Sequence, residues 1–139
     1  MSFLPVYLDS SAIVKLVVPE AETRALMAAL ERWPDRVASA LASVEVHRAL
    51  RRAGASVVVR RRAEAVLSGL VLVRVDDPVL QRAALFGDPA LRSGDAIHLA
   101  TALSLGDDPD AFVTYDARLA RAAKKQKLTV AHPGVPRLT

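Results

Sequence analysis

Four carboxylates, Asp9, Glu45, Asp95 and Asp116, stand where a chain seldom leaves acids. Each ends an apolar strand pattern or lies beside the apolar face of a helix pattern. Carboxylate oxygens are hard donors that select Mg²⁺ or Mn²⁺, and Mg²⁺ keeps several waters while accepting only a few protein ligands. If the four converge, the chemistry they support is metal-assisted hydrolysis of a phosphodiester, in which water is activated and the leaving oxygen is stabilised. No rival centre is evident. The chain has no cysteine, which excludes thiolate zinc sites and disulfides, and it has neither a Lys-bearing glycine loop nor a Cys/His cluster.

Taken singly, each acid also has a purely structural reading. Asp9 can cap the helix that follows it, although Ser10 and Ser11 could do so equally well. Glu45 can pair with Arg48 on its own helix. Asp95 shares its helical column with His98, Leu99 and Ala102, so its burial calls for a partner; Ser93 is the expected N-cap there, and Gly94 permits close approach of another segment. Asp116 reads as the N-cap of the next helix. His98 is expected to be a hydrogen-bonded core histidine rather than a metal ligand, and His47 and His132 have less to recommend them. The case for function is the conjunction of the four acids with hydroxyl residues at one end of a sheet.

That sheet is legible in the periodicity. Strand patterns at 6–8, 36–39, 70–75, 111–114 and 128–131 alternate with helix patterns at about 12–18, 21–32, 41–53, 56–68, 79–86, 95–105 and 117–125. Pro19, Trp33-Pro34-Asp35, Gly54 and Gly87-Asp88-Pro89 punctuate them. Such alternation predicts an α/β fold, a three-layer α/β/α sandwich with a mostly parallel central sheet covered on both faces. Ligands gather at the carboxyl ends of such strands, near the switch in strand order, where Asp9 and Asp116 fall.

At 139 residues and 52% hydrophobic the chain has the size of one domain, 1–139, with enough apolar material for a core. Met1-Ser2-Phe3-Leu4-Pro5 lacks the pattern of a secretory signal, and no apolar run reaches membrane-spanning length, so a cytoplasmic protein is expected. The net charge is +4. Sequestering the four acids leaves 19 cations against 11 acids, a surplus that would attract a polyanion in a salt-dependent way. Arg48, Arg51 and Arg52, with Arg60-Arg61-Arg62 on the next helix, are candidates for phosphate contacts; the alternative is a solvated basic face. Asp107-Asp108-Pro109-Asp110 reads as a surface loop with no assigned role.

Four blocks carry a family resemblance: Tyr7 to Leu16, Ser39 to Leu50, Ser93 to Ala102, and Phe112 to Asp116. In this order they resemble the PIN domain, and within it the VapC-like ribonuclease toxins of bacterial toxin-antitoxin modules. The resemblance implies an Mg²⁺- or Mn²⁺-dependent endoribonuclease. By position, Asp9 and Asp95 look like the principal metal ligands, Glu45 and Asp116 like the acids that complete the site, and Ser10 and Thr114 like hydroxyls holding those carboxylates. It further implies an RNA substrate, a cognate antitoxin protein and a homodimer.

Two other readings remain open at this level. One is a PIN-like module that binds RNA or protein without cutting. The other is a phosphoryl-accepting receiver, with Asp76 or Asp77 as acceptor; but a receiver carries paired acids after its first strand and a Lys after its last, where this chain has Asp9 alone and Ala131-His132.

Overall fold

A computed structural model describes residues 4–139, so the first three residues of the segment read above for a signal lie outside the described residues. Five short strands, β1 (Val6–Leu8), β2 (Arg36–Ser39), β3 (Val71–Val73), β4 (Ala111–Val113) and β5 (Val130–Ala131), form one sheet in the order β3-β2-β1-β4-β5. Every pairing is parallel. Helices α1 (Ser10–Val17), α2 (Thr23–Leu30), α3 (Leu41–Arg52) and α4 (Val57–Ser68) precede β3, and α5 (Asp77–Ala84), α6 (Ser93–Ser104) and α7 (Ala117–Lys125) follow it.

The side-chain alternation of the strands builds two cores. Val6 and Leu8 of β1, Ala38 of β2 and Ala111 and Val113 of β4 face one side, where Ile13, Leu26, Val46, Leu50 and Leu67 of α1 to α4 cover them. Tyr7, Val37 and Phe112, the intervening residues, face the other side and meet Leu99 and Ala102 of α6 and Leu119, Ala122 and Ala123 of α7. The expected α/β/α sandwich follows from this division. Tyr7 and Phe112 stack with ring centroids 5.1 Å apart, fixing β1 against β4.

Three expectations are corrected. The apolar run 70–75 becomes only a three-residue edge strand, and Val71 is 61% exposed, because β3 has a neighbour on one side alone. Ser93 does not cap α6; Arg92 occupies that position and makes no side-chain capping bond, so Ser93 is already helical. The acidic loop has a structural job, since the Trp33 indole N–H donates to Asp110 at 2.7 Å and ties the chain before β2 to the chain before β4. Among the described residues no helix is long and apolar enough to cross a membrane.

Strand order decides where the site lies. The chain runs outward from β1 through β2 to β3, then returns to place β4 on the other side of β1. The reversal opens a crevice at the carboxyl ends of β1 and β4, bridged at its base by the Asp9 N–H donating to the Val113 carbonyl at 3.2 Å.

Candidate active site

Three helices begin at this crevice, and each presents an acid there. Asp9 is the N-cap of α1, Asp116 the N-cap of α7, and Asp95 lies in the first turn of α6. Helix N-termini carry partial positive charge and free N–H groups, which favours carboxylates at these positions. The capping reading and the site reading of Asp9 and Asp116 are thus compatible. Glu45 arrives from the middle of α3. Glu45, Asp95 and Asp116 line one cavity of about 740 Å³ together with Arg92, Gly94, Tyr115, Arg118 and Arg121. Asp9 is not in that lining; it lies beneath, 3% exposed, close enough that its charge acts on Asp95.

The four differ in how their oxygens are used. Asp9 is tied at both: Oδ1 accepts from Ser11 Oγ at 2.6 Å and the Ala12 N–H at 3.0 Å, and Oδ2 accepts from Thr114 Oγ1 at 2.6 Å. The same hydroxyls continue the network, since Ser11 accepts from the Tyr115 N–H and Thr114 from the Asp116 N–H, both at 3.0 Å. Burial nonetheless pushes the Asp9 carboxyl above its ordinary value, against the lowering effect of His98 and of those three donors.

Glu45 is tied at one oxygen. Its Oε1 accepts from Ser10 Oγ at 2.7 Å and contacts His98 Nε2 at 2.6 Å, while the Tyr7 hydroxyl meets the other ring nitrogen at 2.8 Å. A tyrosine hydroxyl donating to Nδ1 leaves the proton on Nε2, where it donates to Glu45. Burial would raise the Glu45 pKa, but the bonds from His98 and Ser10 outweigh it and the net shift is downward. The other oxygen, Oε2, faces Gly94 so closely that a Cβ there would stand 2.8 Å from it. Gly94 is therefore a space-maker for the α3 acid. The anticipated pairing of Glu45 with Arg48 does not form among the described residues; His98 takes that place.

Asp116 also uses one oxygen, Oδ1, which accepts from the Arg118 and Leu119 N–H groups at 2.8 and 3.0 Å. Asp95 accepts no hydrogen bond from the described residues. Burial, then the negative charges of Asp116, Asp9 and Glu45, push its pKa up to about 6, with His98 opposing. An acid held high by burial and by acidic neighbours marks a place where a bound cation would be stabilised.

The donor set fits a hard divalent cation: it is all oxygen, mutually repelling, and leaves unused carboxylate oxygens on Asp95, Glu45 and Asp116. Among the described residues no three His, Cys, Asp or Glu side chains form a ready-made metal cage.

Sequence reasoning missed two contributors. Ser11, considered only as a cap, holds Asp9, and His98, expected to be a satisfied core residue, is one and also orients Glu45; the close approach read for Gly94 is that of α3, whose Glu45 it makes room for. The apolar surroundings of His98 and the glycine beside Asp95 were the available signals. Arg48, Arg51 and Arg52 are exposed on α3 and do not line the acidic cavity. Arg60 and Arg62 donate to the Ala55 and Val17 carbonyls, so both have structural work. Asp76 caps α5 beyond the edge strand β3 and is likewise outside the cavity lining, which removes the basis of the receiver reading.

Comparison with known proteins agrees with this geometry. The family model of the PIN domain matches residues 6–125. Ribonuclease VapC46 of Mycobacterium tuberculosis is 48% identical over 128 residues, covering 92% of this chain and 97% of the relative. The crystal structure of Mycobacterium tuberculosis VapC20, a sarcin-ricin loop cleaving toxin, superposes with a TM-score of 0.68 at 16% identity, covering 84% of this chain and 94% of that one. A toxin-antitoxin complex from Klebsiella pneumoniae gives a TM-score of 0.63 at 23% identity, covering 81% and 88%. The two structural matches speak to the fold, whereas the family match and the 48% identity settle kinship. This chain belongs to the PIN-domain family, among the relatives of the VapC ribonucleases.

Proposed function

We propose that the protein is a divalent-metal-dependent endoribonuclease and the toxin of a toxin-antitoxin pair. The observation that carries the reading is the convergence of Glu45, Asp95 and Asp116, from three separate helices, on one cavity with Asp9 beneath it. The choice of RNA, and of an antitoxin as partner, draws on the ribonuclease and toxin-antitoxin descriptions of the similar proteins. A homodimer is proposed on the family resemblance alone.

In this reading Asp9 and Asp95 are the principal ligands of Mg²⁺ or Mn²⁺, and Glu45 and Asp116 complete the site. The chemistry such an ion supplies is neutralisation of charge at the phosphate and acidification of water. The chain's own residues make that possible. Thr114 and Ser11 hold Asp9 in one orientation; each carboxylate oxygen has two lone pairs, so Oδ2 keeps one beyond its bond to Thr114. Ser10 and His98 anchor Glu45 by Oε1 and so direct Oε2 toward the cavity, where it can order water. Asp116 is fixed by the first turn of α7 and offers its second oxygen in the same way. Arg48, Arg51 and Arg52 add positive surface on the helix that carries Glu45 and act on RNA at longer range.

The test is cleavage of labelled RNA by purified protein with Mg²⁺ or Mn²⁺, with EDTA, and with Asp95→Asn. Metal-dependent cutting should fall by at least about 10³-fold in the variant, the scale of losing a principal electrostatic group of a site. Cutting by the variant at the parental rate would assign the activity elsewhere. Failure to cut any RNA, with metal bound, would favour a binding module.

A further inference from the structure

The acidic cavity has a second kind of lining. Arg92, Arg118 and Arg121 share it with Glu45, Asp95 and Asp116, yet among the described residues none of the three forms an ion pair with those acids. All three side chains are exposed. Three arginines elsewhere behave differently: Arg36, Arg60 and Arg62 spend their guanidinium groups on backbone carbonyls at 2.7–3.0 Å. Positive groups that border acids without pairing to them are available for another anion.

The arrangement also has a direction. Arg118, Arg121 and Lys124 follow at three-residue intervals along α7, one exposed stripe opposite the face that Leu119, Ala122 and Ala123 bury in the core. From first to last the stripe rises about 9 Å along the helix. A smaller neighbouring cavity shares Ala117 and Arg121 with the acidic one and adds Lys124 and Arg137 to its lining. Positive charge therefore runs without interruption from Asp116 outward along α7. The four acids alone would repel a polyanion; this stripe supplies attraction on one side of them.

We propose that Arg118, Arg121, Lys124 and Arg137 form a track for the backbone of single-stranded RNA leading away from the acids, with Arg92 holding a phosphate at the start of α6. The track rests on the nuclease reading for its substrate. Guanidinium forks match phosphate oxygens, and contacts of this kind set the register of the strand without reading its bases. The track accordingly fixes which linkage lies over the acids and leaves base preference to other groups.

The experiment uses the full chain carrying Asp95→Asn, in EDTA, with a short fluorescent single-stranded RNA followed by anisotropy over a range of KCl. Arg118→Gln, Arg121→Gln and Lys124→Gln should each weaken binding by about threefold or more, and each should reduce the slope of log K against log salt by about 0.7. Arg24→Gln, at an exposed position of α2 outside the cavity lining, should cost less than about twofold. Because the replaced residues are exposed, thermal midpoints should stay close to that of the Asp95→Asn parent. A triple variant that binds within about twofold of the parent with the same slope would overturn the track. Cleavage by the protein with Asp95 intact is measured in parallel. If RNA is cut but the triple variant binds normally, the track fails and the nuclease stands. If RNA is not cut but the triple variant loses binding, the nuclease reading fails and the stripe remains an RNA-binding surface.

Discussion

Asp9 and Asp95 are both expected to hold metal, yet their surroundings are opposite. Asp9 is buried, and both its oxygens are occupied by a helix N–H and two hydroxyls that are themselves bonded to the backbone of the β4–α7 connection. Asp95 is half-buried, takes no hydrogen bond from the described residues and is pushed up to about 6 by burial and three acidic neighbours. One acid is part of the scaffold that ties β1 to β4. The other is a charge that the fold tolerates at a cost. The difference teaches that one site can join a structural half and a strained half, and that stability measurements can tell them apart.

The strongest test of the contrast is Asp9→Ala. It removes the cap of α1 and leaves the Ser11 and Thr114 hydroxyls without their acceptor, while relieving a buried charge. The net loss should be about 2 kcal/mol, together with loss of cleavage, read by urea unfolding and RNA assay. A variant as stable as the parent would sink the structural half of the comparison. Thr114→Val keeps the shape but removes the donor to Oδ2 and the acceptor for the Asp116 N–H. About 1.5 kcal/mol should be lost, and cleavage should fall about tenfold as Asp9 loosens.

Asp95→Asn should move stability the other way. In the folded protein this acid binds its proton more tightly than its ordinary value of 3.8 implies, so its contribution favours folding below that pH and is lost as pH rises through about 6. Metal-free protein should therefore become less stable between about pH 4 and 6 on account of this group, and Asp95→Asn should remove that decline. Half-exposure discounts the effect to about 1 kcal/mol gained at pH 7, while cleavage is abolished. Thermal midpoints across pH, in EDTA, provide the measurement; a destabilised Asp95→Asn protein would contradict the assignment of strain.

The smallest stability change belongs to Gly94→Ala. A Cβ at this position must displace Glu45 Oε2, the end of a side chain that has some freedom, so folding should shift by less than about 1 kcal/mol. Cleavage should nonetheless fall by about tenfold, because the displaced oxygen is the one left for the cavity. Parental activity in this variant would mean that the free oxygen of Glu45 has no part in the reaction.

The alternation of strands and helices, and the four acids as a group, were legible because periodicity and the rarity of charge beside apolar faces are local signals. Boundaries were less so. Ser93 has the chemistry of a cap but sits one residue inside α6, since α6 begins with a hydroxyl-free cap at Arg92. The apolar run 70–75 suggested a strand of six residues, yet only Val71–Val73 pair, because β3 lies at the edge of the sheet with one neighbour. Glu45 pointed to Arg48 by helical spacing, but a buried histidine 53 residues away offered a better bond.

The sequence by itself determined which acids could matter, which segments would carry them and that any metal they held would be one that takes hard oxygen donors, because these follow from residue type and short-range pattern. The tertiary structure decided what each acid does with its oxygens. Asp9 is bound by Thr114, 105 positions away, Glu45 is given space by Gly94, and the arginines that border the acids are Arg92, Arg118 and Arg121 rather than the cluster that stood out in the chain. Such pairings depend on the order of strands in the sheet, and strand order is a long-range property that no local pattern contains.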